Sequence, residues 1–164
     1  MKKNRMLISA AALVLSIVQA ADPPELREGL WSIHTQSNDN PGNQKSESTK
    51  TLCRNHPYDK SVDARAKTAL KGCTKVDESV QGGKIFSEVH CMVQGIAMDT
   101  KGTTTYGGDT SLHSETHMTY SPALGGVSET TTIIDSKYIG SCPPGAQPGD
   151  LTGADGKVTH LGKL

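Results

Sequence analysis

Hydrophobic and polar positions alternate with a period of two along most of the chain, and that period predicts strands. From Gly29 to Gln36, Trp31, Ile33 and Thr35 stand opposite Ser32, His34 and Gln36, the pattern of a half-buried strand. The cluster Asn38 to Asn43 then predicts a turn, and the polar run Gln44 to Cys53 returns as an antiparallel partner. Between Pro57 and Leu70 the period changes. Val62, Ala66, Ala69 and Leu70 recur at helical spacing, and Gly72 stands where a helix stops, which predicts one helix near residues 58–71.

From Thr74 onward the alternation resumes. Thr74 to Val80 and Lys84 to Val93 flank Gly82-Gly83, a hairpin tip. Ile96 to Tyr106 follows, with Gly102 marking a bulge or a second turn. Gly107-Gly108 leads into Asp109 to Tyr120, and Pro122 to Gly126 turns the chain into Val127 to Ile139. Three long, Thr-rich strands in succession indicate antiparallel sheet, because β-branched residues suit a pleated surface. The expected fold is mainly β (α+β): an antiparallel meander of about seven strands, able to curl into a barrel-like cup, with the one helix against it. From about residue 143, Pro143, Pro144, Gly145, Pro148 and Gly149 predict an irregular tail.

The first twenty residues follow a different logic. Lys2, Lys3 and Arg5 precede an apolar run from Met6 to Val18, and Val18-Gln19-Ala20 offers a small-residue exit, the form of a secretory signal peptide. A membrane span needs about 20 apolar residues, and this shorter run carries Ser9 and Ser16, so a retained anchor is not expected. Residues 1–20 are thus read as a signal peptide and 21–164 as one exported domain. Processing removes three positive charges and no negative ones, moving the formal balance from 0 to −3. A mildly acidic domain is a poor nucleic-acid binder.

Export changes the meaning of Cys53, Cys73, Cys91 and Cys142, since disulfides persist outside the cytosol. No C-x-x-C pair is present, and the wide spacings do not suit structural zinc, so two disulfides are expected and no cofactor. If Gln81 to Gly83 form a three-residue loop, Cys73 faces Cys91 across two strands, which leaves Cys53 for Cys142. A two-residue loop would turn the first pair to opposite faces.

Several segments, taken in order, resemble one known family: Gly29-Leu30-Trp31, Cys53 before the helix and Cys73 after it, Cys91 closing a strand, Gly108-Asp109, and Tyr138-Ile139-Gly140-Ser141-Cys142. They resemble small exported bacterial proteins grouped as a domain of unknown function, number 3617 in its series. The resemblance implies a periplasmic, mainly β protein and no assigned activity.

The sharpest candidate for chemistry is the set His113, Glu115 and His117, with His90 or Asp99 as possible helpers from a neighbouring strand. On a strand, positions i and i+2 lie about 7 Å apart and can share an ion, whereas i and i+4 lie about 13 Å apart. With Met92, Met98 and Met118 in the region, low-affinity copper or zinc binding is one alternative. The favoured reading of the set is a solvated polar face with methionines opposite, and no metal site is assigned. No G-x-S-x-G elbow is present, so no catalytic residues are assigned and a hydrolase stands as the other alternative. The reading preferred is a non-catalytic envelope binding or interaction protein. It would use the apolar face around Trp31, Leu112, Met118 and Tyr120 for a small apolar ligand, or the edge strand Gln44 to Cys53 for an envelope protein.

Overall fold

A computed structural model describes residues 23–163, and the signal peptide expected at residues 1–20 lies outside them. The first hairpin joins β1 (Gly29–Asn40) to β2 (Gln44–Arg54). Helix α1 (His56–Ala69) follows, closed by a 3-10 turn at Leu70–Gly72. Five long strands then run in succession: β3 (Cys73–Gln81), β4 (Lys84–Val93), β5 (Ile96–Tyr106), β6 (Ser111–Leu124) and β7 (Val127–Gly140). Two short strands, β8 (Asp150–Thr152) and β9 (Val158–His160), complete the chain. All nine form one antiparallel sheet in the order β3-β4-β5-β6-β7-β1-β2-β8-β9. The sheet is open, with β3 and β9 at its ends, and the barrel-like closure anticipated from the meander is not formed.

Directly opposed residues share a face, so the ladder sorts the side chains. Trp31, Leu52, Tyr138, Leu112, Tyr106 and Ile85 fall on one face, together with Ile134, Met118, Tyr120 and Met98. The other face carries His34, Asp135, His113, Glu115, His117, Lys101 and Glu88. These are called the apolar and polar faces below.

The core sits at one end of the apolar face. Trp31 is 0% exposed, and among the described residues only Leu26, Leu52 and Cys53 join it as buried apolar side chains. The Trp31 ring lies between its ladder neighbours Leu52 and Tyr138, meeting the Tyr138 ring edge-on at 6.2 Å between centroids. The Arg54 guanidinium lies 5.1 Å from the ring centroid, and the indole N–H donates to the Arg27 carbonyl at 2.8 Å. Gly29 belongs to the same packing: at φ 136° it takes a backbone conformation open to glycine, and a Cβ there would lie 2.5 Å from the Gly140 carbonyl oxygen.

Several local expectations change. Helix α1 starts slightly earlier than predicted, where the Asn55 side chain accepts a hydrogen bond from the Tyr58 N–H and Pro57 occupies the first turn. The β3–β4 loop has two residues, Gly82 and Gly83, because Gln81 pairs with Lys84. A bulge between Cys73 and Lys75 then shifts the register by one residue and brings Cys73 opposite Cys91. Gly102 marks neither a bulge nor a turn; it stays in register, and a Cβ there would lie 2.7 Å from Ser87 Oγ. The turn expected over Pro122 to Gly126 shrinks to Gly125-Gly126, since β6 runs through Pro122 to Leu124 with a register shift after Thr119. The tail read as irregular contains β8 and β9. Its Gly149 N–H donates to the Cys53 carbonyl, and Arg65 of α1 donates to the Leu161 carbonyl.

Candidate functional site

The two cysteine pairs bracket the helix. Cys53, the next-to-last residue of β2, bonds to Cys142 just beyond β7, and Cys73, opening β3, bonds to Cys91 of β4. Each end of the segment that carries α1 is therefore fastened to the sheet by a covalent bond. Between those fastenings no residue of α1 is buried. The helix lies over the apolar face, because Asp59, Asp63, Ala66 and Leu70 share one crevice with Tyr106 and Ile85. This crevice has a volume of about 610 Å³, and Leu26 and Arg54 also line it.

Electrostatics within the crevice follow from partial burial. Arg54 binds Asp59 through Nε at 3.0 Å and through Nη2 at 3.0 Å. Burial nevertheless raises the Asp59 pKa, outweighing the pull of Arg54 in the other direction. Burial likewise raises the Tyr106 pKa, helped by the negative charges of Asp63 and Glu78. His56 is held at the mouth, where its own N–H donates to Glu28 at 3.0 Å and its ring lies against Glu25, Glu28 and the Leu26 carbonyl. The crevice thus combines an apolar floor with a charged rim whose strongest pair is already internally matched.

The expected apolar quartet does share one face, but unequally. Trp31 is sealed in the core, while Leu112, Met118 and Tyr120 are half-buried along the sheet. Tyr106, Ile85 and Arg54, which line the crevice, were not singled out by sequence. The signal for them is weak, because they come from three separate strands and only the register brings them under α1.

The set His113, Glu115 and His117 lies on the polar face and does not converge. His113 meets Asp135 at 2.7 Å through Nδ1 and Glu115 at 3.1 Å through Nε2. These two hydrogen bonds, Asp135 first, raise the imidazole pKa, and both ring nitrogens are engaged by carboxylates. His117 turns instead towards Thr131 and Glu129 of β7. His90 is paired with Asp99, the nearby helpers thus binding each other. Met98 and Met118 sit on the opposite face, and Met92 is exposed. Among the described residues no three His, Cys, Asp or Glu side chains are placed to hold one ion.

A pattern that the sequence did not disclose is that each of the six histidines lies within ion-pairing distance of a carboxylate. His34 meets Glu47, and His160 meets Asp150 at 2.7 Å. The Gln147 N–H and then His160 hold the Asp150 carboxyl below its usual range. Among the described residues no helix is long and apolar enough to cross a membrane.

No curated protein matches this sequence. A family profile does, over residues 26–142, a span from the buried Leu26 to the second half of the Cys53–Cys142 bond that includes the helix, both disulfides and every long strand. The chain therefore belongs to the family described as a protein of unknown function (DUF3617).

Proposed function

We propose that this chain is an exported, non-catalytic binding protein of the bacterial envelope that takes up a small apolar ligand between α1 and the apolar face of its sheet. The observation that carries the reading is the crevice itself: a helix with no buried residue, covalently held at both ends, over an apolar floor. Its volume of about 610 Å³ lies within the range of small-molecule sites. The lining contains no serine, threonine or cysteine to serve as a nucleophile, and its one histidine is tied to Glu25 and Glu28. Two disulfides suit an oxidising compartment, in keeping with the leader expected at residues 1–20.

The test uses the processed protein recovered from the envelope, whose N-terminus is expected at Ala21. Titration with N-phenyl-1-naphthylamine, an uncharged probe, should give saturable fluorescence enhancement. Substituting Ile85→Trp fills the crevice floor and should abolish that enhancement while leaving thermal unfolding intact. Enhancement that is absent in the native protein, or indifferent to the Ile85→Trp change, would remove the proposal.

A further inference from the structure

We infer a second binding site on the polar face, built to take an uncharged saccharide chain. Phe86 is the only phenylalanine in the chain and stands 40% exposed in the middle of β4. Lys84 and Glu88, two positions away on the same face of β4, border the ring with charge, and part of it is open to solvent. Its direct neighbours across the ladder are Ser79 of β3 and Thr103 of β5, whose side chains are short, and the ring is left partly exposed. The ring forms part of a hollow of about 690 Å³, bordered by Asp77, Glu88, Lys101, Glu115 and His117. From Asp77 on β3 to Thr131 on β7 the hollow crosses five adjacent strands, a width of about 19 Å, which is groove-like rather than pit-like.

The chemistry of the lining selects the ligand. A pyranose ring presents a face of C–H bonds and a rim of hydroxyls that both donate and accept. The Phe86 face offers the apolar platform for the first. Carboxylates of Asp77 and Glu115 accept, the Lys101 ammonium donates, and Thr103 and His117 do either, which matches the second. Lys101 keeps donor capacity, since its contact to Glu88 is 3.8 Å, and the closer partner of Glu88 is Lys75 at 2.7 Å. Four carboxylates, Asp77, Glu78, Glu88 and Glu115, border the hollow against Lys101 and the neighbouring Lys75, a surplus of negative charge that disfavours phosphate, sulfate or uronate. The site is on the opposite face from the α1 crevice, so the two stand or fall separately.

The experiment is calorimetric titration of the processed protein with chitohexaose and with maltohexaose, both uncharged. At least one should bind. The substitution Phe86→Ala should weaken that binding about tenfold and Phe86→Trp should retain it. Lys101→Met, at an exposed position, should also weaken it, and Ile85→Trp in the other site should leave it unchanged. Absence of binding by both sugars at millimolar concentration would overturn the inference. So would affinity that Phe86→Ala and Lys101→Met leave unaltered, or uptake of oligolysine in place of either sugar.

Discussion

Trp31 brings together interactions that elsewhere in the molecule are spread thinly. Its ring is fully buried, met edge-on by Tyr138 and covered by the Arg54 guanidinium, and its one polar atom is satisfied by the Arg27 carbonyl. Replacing Trp31 with Ala removes the largest buried side chain and should cost about 3–5 kcal/mol, read as a fall in the urea midpoint. Trp31→Phe keeps much of the volume but leaves the Arg27 carbonyl without its donor, so a loss of about 1 kcal/mol is expected. A second residue-scale prediction concerns pH. The His113 pKa is raised by Asp135 and Glu115, so its contribution to stability is full below the ordinary imidazole value of 6.5 and is lost as pH rises through the higher folded value. The ring is 43% exposed, which limits the effect to a few tenths of a kcal/mol. Urea midpoints of the native protein and of His113→Gln should therefore differ most in mild acid and converge in alkali. A gap that widens with pH would contradict this assignment. Trp31 and its face were legible in the alternation of β1; the pairing of His113 with Asp135 was not, since the register of the β6–β7 hairpin depends on a shift after Thr119 and a turn shorter than expected.

At the scale of elements, α1 differs from the strands because tertiary packing does little to hold it. Its stability rests on the Asn55 cap, the Arg54–Asp59 pair and the two flanking disulfides. Asn55→Ala removes a cap worth about 1 kcal/mol. In a packed helix that cost would be shared with the global fold; here it should appear as local opening, with amide exchange in α1 about fivefold faster and exchange in the β5–β7 ladder unchanged. Equal acceleration in the sheet would mean that α1 and the sheet unfold as one unit. The helix and the long strands were readable because their periods persist over nine residues or more. The bulge at Thr74 was not, although it decides the disulfide: a two-residue loop alone would have turned Cys73 and Cys91 to opposite faces, and one extra residue restores the match. β8 and β9 are not legible in the sequence, because three residues are too few to show a period.

For the whole molecule, the decisive contact is one that sequential hairpins do not supply. β7 pairs with β1 along its length, which seats the N-terminal hairpin beyond the last long strand and leaves β3 with a free outer edge. Nothing in the alternation of either strand specifies that pairing, and without it Leu26 and Arg54 would not reach the crevice that Ile85 and Tyr106 line. The Cys53–Cys142 bond secures this long-range arrangement, closing β2 to the exit of β7 over a sequence separation of 89 residues. Cys73–Cys91 spans 18 residues and secures a single hairpin. Restriction of the unfolded chain grows with the logarithm of the loop, giving about 4–5 kcal/mol for the first bond and about 3 kcal/mol for the second. Burial adds to the difference, because Cys53 is 3% exposed and two serines at the first site would place a hydroxyl in the core beside Leu52. The double variant Cys53→Ser with Cys142→Ser should accordingly lose more stability in denaturant than Cys73→Ser with Cys91→Ser. The reverse order would show that the β3–β4 hairpin, rather than the β7–β1 junction, is where this open sheet is most dependent on covalent support.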